Sequence, residues 1–202
     1  HPMPFHFPFG QELKPVLQQD RTAKKVFMLG VYASAVHARW TDPKGKLLVN
    51  ALAVASEPYI FWRGEDAEEI ISKVKLPDGV GALTAASASL NGPSGKALDK
   101  LFLAPLGIDR SEAWLCDLLP ESRMNPSQAQ AIQRTYVPLQ AQYGLPTATV
   151  PLFDKRESDT SARRLQILRE LTTSKAERIV VLGDVPIQQF IRPLSDTPVR
   201  NL

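Results

Sequence analysis

Lys25-Val-Phe-Met-Leu-Gly30 decides the fold. Its apolar side chains follow one another without alternation and stop at a glycine. A strand with one wet face alternates apolar and polar residues, so a short unalternating run reads as a strand covered on both faces. Three more runs share this character: Leu47 to Val54, Ala113-Trp-Leu-Cys-Asp-Leu-Leu119 before Pro120, and Arg178-Ile-Val-Val-Leu-Gly183. Helical patterns lie between them. The expectation is an α/β domain, a three-layer α/β/α arrangement with a central four-stranded parallel sheet of segments 25–30, 47–54, 113–119 and 178–183.

The helices are placed by spacing and caps. Ala67, Ile70, Ile71 and Val74 fall on one face, with Glu65 and Asp66 at the N-terminal end and Lys73 and Lys75 at the other. A second helix, after the small-residue stretch Gly79 to Gly95, is expected to turn Leu98, Leu101 and Phe102 inward. Asn125-Pro126 is a helix start, asparagine as cap and proline in the first turn. Pro138 is expected to kink that helix. Ser158-Asp-Thr-Ser161 caps another, with Leu165, Leu168 and Leu171 on one face, and a short helix starts at Pro186. Thr41-Asp-Pro-Lys-Gly45 reads as a turn between strands.

The 202 residues make one domain, since domains run to about 100–200 residues. Residues 1–23, rich in Pro and Phe, read as a leader lying over a single domain at 24–202. Hydrophobic residues at 44% and charged residues at 22% exclude a disordered tail, a coiled coil and a collagen. No apolar run reaches the roughly 18 residues of a membrane span, and His1 to Gly10 lack the basic-then-apolar pattern of a secretory signal. Cys116, the only cysteine, excludes an intramolecular disulfide framework and a cysteine zinc site. A cytoplasmic setting with no metal and no cofactor is expected. The net charge of +3 permits nucleic-acid binding without arguing for it, because phosphate contacts need clustered cations.

In a parallel α/β sheet the ligand crevice lies beyond the carboxyl ends of the strands. That gathers Gly30 to Trp40, Glu57, Asp117 and Gly183-Asp184. Tyr32 reads as a pocket wall or a packed strand-end ring. His37, the one histidine inside the domain, reads as an acid–base group or a structural side chain on a short helix. Glu57, close to Phe61-Trp62, reads as a carboxyl of raised pKa or as an ion pair with Arg39 or Arg63. Arg39 suits a phosphate, and Trp40 suits a stacked base or the core. Asp117, if ionised, only accepts hydrogen bonds and suits an amino-bearing base edge. Lys155, Arg156, Arg163, Arg164 and Arg169 read as a nucleic-acid face or a solvated one.

Asn91-Gly-Pro-Ser-Gly95, then Lys96-Ala-Leu-Asp-Lys-Leu, Gly107-Ile-Asp-Arg110, and Ala113-Trp-Leu-Cys-Asp-Leu, resemble in order and spacing the uracil-DNA glycosylase superfamily, chiefly its iron–sulfur branch. Met28-Leu-Gly-Val-Tyr-Ala-Ser34 stands where that family has its water-activating loop, and the likeness runs over about residues 25–192. It implies the family's α/β fold and hydrolysis of the N-glycosidic bond of a base in DNA or of a nucleotide derivative. It implies Tyr32, His37, Glu57 and Asp117 as catalytic candidates. Gly30, Ser34, Arg39, Asn91, Gly92, Ser94 and Gly95 become candidates for substrate or phosphate. The family's acid or amide in the first loop is replaced by Val31-Tyr32-Ala33, its cluster cysteines are absent, and no His-Pro-Ser sequence follows Gly183. The same fold without chemistry, a nucleotide-binding or protein-interaction domain, is the alternative, and oligomeric state is not legible.

Overall fold

The structure, a computed structural model, describes residues 4–158 and 160–194. β1 (Val26–Tyr32) lies between β5 (Ala113–Leu119) and β6 (Arg178–Val181) in a parallel three-stranded sheet, order β5-β1-β6. A second, antiparallel sheet has the order β3-β2-β4, from β2 (Ala35–Thr41), β3 (Leu47–Ser56) and β4 (Ala82–Ala85). The α/β class holds. Among the described residues, however, the parallel sheet has three strands, and segment 47–54 belongs to the other sheet.

The physical reason is the turn at Asp42–Lys46. The Asp42 carboxylate accepts the backbone N–H groups of Lys44 (2.9 Å) and Lys46 (2.8 Å), and Gly45 takes φ +83°. That closes a hairpin, and a hairpin can only join antiparallel neighbours; a parallel pair needs a crossover of about a dozen residues. The partner strand is Ala35–Thr41, where Val36, Ala38 and Trp40 are buried and His37, Arg39 and Thr41 are less so. His37 therefore sits on a strand, not a short helix.

Both faces of the parallel sheet are covered. Val26, Met28, Ala113 and Leu115 pack against Leu98 and Leu103, from the continuous run α2 (Pro93–Ala97), π-helical Leu98–Leu103 and α3 (Ala104–Leu106). Phe27, Leu29, Trp114, Cys116 and Leu118 pack on the other side against Ile167 and Phe190. α1 (Ala67–Ser72) buries Ala67 and Ile71 on the antiparallel sheet. α4 (Pro126–Ala131) is capped by Asn125, whose Oδ1 accepts the Gln128 N–H at 2.8 Å. A π-helical stretch, Ile132–Tyr136, joins it to α5 (Val137–Tyr143), so Pro138 enters at the start of α5. Widening the turn there relieves the missing donor of the proline without ending the helix.

α6 (Ser161–Ser174) is capped by Thr160; Asp159 lies outside the described residues. Leu168 and Leu171 pack against the core as expected, but Leu165 is exposed, and the fully buried positions are Arg163, Ile167, Glu170 and Ser174. Leu101 and Phe102 are likewise exposed, because the π-helical winding turns Leu103 inward in their place. α7 (Asp184–Pro186), a π-helical Ile187–Ile191 and α8 (Arg192–Leu194) are the last of the described elements. In the leader, Phe7, Phe9, Leu13 and Val16 are buried. Phe9 meets Trp40 and Tyr136 edge-on, with centroids 5.3 and 5.2 Å apart. Trp40 is core, its indole N–H bonded to the Val80 carbonyl at 3.0 Å.

The Asn91–Gly95 turn is pressed on the 61–64 segment. A Cβ on Gly95 would lie 2.2 Å from the carbonyl oxygens of Phe61 and Trp62; one on Gly92 would lie 2.2 Å from the Arg63 carbonyl carbon. Gly95→Ala is therefore expected to cost about 2–3 kcal/mol, seen as a lower midpoint in urea unfolding. Gly107→Ala, with nothing within 4 Å of the added carbon, should cost less despite its φ of +65°.

Candidate functional site

β1 leaves the parallel sheet and becomes β2 of the antiparallel one across two residues, Ala33 and Ser34. The corner is pinned: the Ala33 N–H donates to the Leu119 carbonyl (3.3 Å), and the Ser34 carbonyl accepts from the Ser122 hydroxyl (2.8 Å) and the Glu57 N–H (3.3 Å). A cavity of about 650 Å³ opens here, at the carboxyl ends of β1 and β5. Its size falls in the range of small-molecule sites, about 300–1,000 Å³.

Seven of the residues named from sequence line it: Gly30, Tyr32, Ser34, His37, Glu57, Ser94 and Asp117. In the parallel register Gly30 stands directly beside Asp117. A Cβ on Gly30 would fall 2.4 Å from the Asp117 Oδ1 and 2.8 Å from Cζ of Phe61. The missing side chain is what lets the carboxyl group and the ring close over the strand. Phe61 itself is held at φ +52°, unusual for a bulky residue. Arg110 clamps this segment, donating to the carbonyls of Phe61 (2.8 Å), Ile60 and Gly95 (3.3 Å each) while its Nε bonds Asp99 at 3.1 Å.

Glu57 is buried, 4% exposed, and pairs with neither Arg39 nor Arg63; Arg63 bonds Asp99 instead. One Glu57 oxygen accepts the Trp62 N–H at 3.3 Å. Burial pushes its carboxyl up to about 8, and the charge of Asp117 pushes the same way; backbone N–H groups of Trp62, Ser34 and Phe61 oppose. Asp117 is as buried, and burial pushes it up to about 7, against the nearby Arg163 cation and with the Glu170 charge. Burial thus raises both carboxyl groups toward neutral pH, Glu57 above Asp117. His37 Nδ1 is buried without a hydrogen-bond partner, and desolvation lowers the pKa, so the ring is neutral.

Four named residues lie elsewhere. Arg39 is exposed on β2 and does not line the cavity. The Asn91 amide is spent on the strand, accepting from the His37 N–H (2.8 Å) and donating to the His37 carbonyl (2.9 Å). Gly92 and Gly95 serve the close backbone packing described above, and the Lys96 ammonium bonds the Ala88 and Asn91 carbonyls at 2.8 and 3.2 Å. The turn is a structural clasp. Of the basic stretch, Arg163 is buried, its guanidinium bonded to the Leu118 carbonyl at 2.7 Å and to the Asp117 carbonyl.

Sequence reasoning missed Phe61 and Phe153 as walls, along with Arg123 and Gln128. The Phe153 ring lies 5.0 Å from that of Tyr32, so Tyr32 is part of an aromatic wall. Phe61 follows Glu57 closely enough to have been suspected; nothing local in Leu145 to Arg156 points Phe153 at β1. Among the described residues no His, Cys, Asp and Glu gather as a metal site, and no helix is long and apolar enough to cross a membrane. Comparison with known proteins finds no matching family model, no matching curated protein and no matching solved structure.

The raised carboxyls set a sign for stability. Folded Glu57 and Asp117 hold protons that the unfolded chain, with ordinary values of 4.5 and 3.8, releases. Their contribution is complete below those unfolded values and is lost as pH rises through about 7 and about 8. Between about pH 5 and 7, Glu57→Gln should flatten the fall in unfolding free energy by about 1.4 kcal/mol per pH unit. Urea titrations across that range check it; an unchanged slope would show that Glu57 is ionised in the fold.

Proposed function

We propose that this cavity is the active site of a hydrolase that cleaves the N-glycosidic bond of a base in DNA or of a nucleotide derivative, on a uracil-DNA glycosylase-like fold. The observation that carries the reading is the placing of two buried carboxyl groups, Glu57 and Asp117, at the strand ends of an aromatic-walled cavity, with burial pushing them up to about 8 and about 7. The order of motifs from Met28 to Gly183 supports it.

The bond between the sugar C1′ and the base nitrogen breaks with its electron pair leaving on the base. Glu57, neutral at pH 7, supplies a proton to the departing heterocycle. A water oxygen bonds to C1′, and its proton passes to the Asp117 carboxylate. One proton leaves Glu57 and one arrives at Asp117, so the pair is reset through solvent. Neutral His37 orients the water, and the Tyr32–Phe153 wall stacks the ring. A separate carboxyl acid and carboxylate acceptor in one site is how acid and base roles coexist near neutral pH.

The experiment is a panel of single-stranded and gapped DNA and free nucleosides carrying uracil, hypoxanthine, xanthine, alkylated or ordinary bases. Release of a base is expected, falling as pH rises through about 8 and dropping by at least about 100-fold in Glu57→Gln. Tyr32, where the family has an acid or amide, favours a second reading: a binding site without turnover. Ligand binding with no base released from any substrate would replace the first reading by the second.

A further inference from the structure

We infer that the deep end of this cavity selects a heterocycle whose edge carries an exocyclic amino group. The inference refines the ligand of the site above and rests on that reading only for the ligand being a nucleoside unit.

The donor and acceptor inventory of the cavity is lopsided. The Gln128 and Arg123 N–H donors are largely spent inside the protein; the Asn125 amide, whose oxygen holds the Gln128 N–H, keeps its own N–H groups unpaired among the described residues. The Gln128 amide donates to the Ala51 carbonyl at 2.7 Å and accepts the Ala53 N–H at 3.0 Å. The Arg123 guanidinium is held by Glu157, at 3.1 and 3.2 Å, and by the Glu121 and Ser122 carbonyls. In contrast, neither carboxyl oxygen of Asp117 receives a hydrogen bond from a described residue, although the residue is only 4% exposed. The Glu57 carboxyl faces the backbone N–H groups of Trp62, Ser34 and Phe61, the first on Oε2. The hydroxyls of Tyr32, Ser34 and Ser94 accept as readily as they donate.

With Glu57 protonated and Asp117 ionised, the two carboxyl groups offer one donor and several acceptors. A lactam edge, one N–H beside one carbonyl, fills only part of that set. An edge with an exocyclic amino group brings at least one further N–H and leaves fewer buried acceptors unpaired. Leaving a buried acceptor unpaired is the larger penalty, so the amino group decides the preference. Guanine, with N1–H beside its 2-amino group, can meet a carboxylate bidentately, and cytosine offers its amino group to a single carboxylate oxygen, discrimination of the kind seen when acidic side chains read amino edges.

The test is binding, measured by calorimetry or NMR titration up to millimolar ligand, with the matched pairs cytidine against uridine and guanosine against inosine. Within each pair the amino member is expected to bind at least about tenfold more tightly. Asp117→Asn, which puts an N–H donor where an acceptor stood, should erase or reverse that difference. If that variant does not fold, the wild-type comparison stands alone. Equal affinities, tighter binding of the keto member, or no binding of any of the four overturns the inference. A second arm with the same bases in single-stranded oligonucleotides separates the sources: tighter binding there assigns the site to nucleic acid, equal binding to free nucleosides, each with the amino preference intact. Because no arm requires turnover, an amino preference without base release would sink the hydrolase and keep the ligand.

Discussion

The corner at Ala33–Ser34 is the constraint on which the rest of the structure depends. One extended chain serves a parallel sheet as β1 and an antiparallel sheet as β2, with two residues in between. Backbone polar groups at such a bend lose their ladder partners and must find others if they are buried. Here the Leu119 carbonyl, the Ser122 hydroxyl and the Glu57 N–H supply them. Each of those partners brings a wall of the cavity with it: the end of β5 carrying Asp117, the loop carrying Arg123, and the end of β3 carrying Glu57. The cavity is the space left where two sheets part company, and its polar lining consists of the groups that hold the corner and their neighbours.

That arrangement explains why two acidic side chains are buried together. A charged carboxylate in a dry site is expensive, and the common outcome is that it keeps its proton. The Arg123 guanidinium in the cavity lining is held by Glu157 and not by Glu57 or Asp117. Arg163 lies on the opposite side of β5 from the cavity, gripping the Asp117 and Leu118 carbonyls, and is itself faced by Glu170 at 3.8 Å. The cation thus fixes the strand end and only partly counters burial at the carboxyl group. Strain is kept at the same place: Phe61 holds an uncommon backbone conformation under the grip of Arg110. Strained backbone and neutral buried acids are both features that a fold selected only for stability would shed.

Helix winding shows how tertiary packing overrides periodicity. The pattern Leu98, Leu101, Phe102 is a good helical face, yet Leu98 and Leu103 are the buried pair. One π-helical stretch rotates the face, and the exposed Phe102 then reaches the cavity rim. Leu165 on α6 is displaced from the core for a different reason. The strand ends beneath need Arg163 and Glu170 for their carbonyls and for the Trp114 indole, which donates to Glu170 at 3.2 Å.

The sequence by itself determined the α/β class, three parallel strands, the Asn125 cap, and the gathering of Gly30, Tyr32, Ser34, His37, Glu57 and Asp117. These depend on local apolar runs, on cap chemistry, and on the rule that strand ends face the crevice. The alternation Val36-His-Ala-Arg-Trp-Thr41 also carried the second sheet, since its small and large apolar residues repeat at the strand period. It went unread because the Asp42–Gly45 turn fits a loop between parallel strands as well as a hairpin. Only the tertiary structure showed that Asn91 and the turn glycines clasp backbone, since a glycine kept for close approach and one kept for an anion look alike in sequence. It alone decided the protonation of Glu57 and Asp117. A pKa follows from what surrounds a group in space, and for these two the surroundings come from segments as distant as Phe61, Arg163 and Glu170.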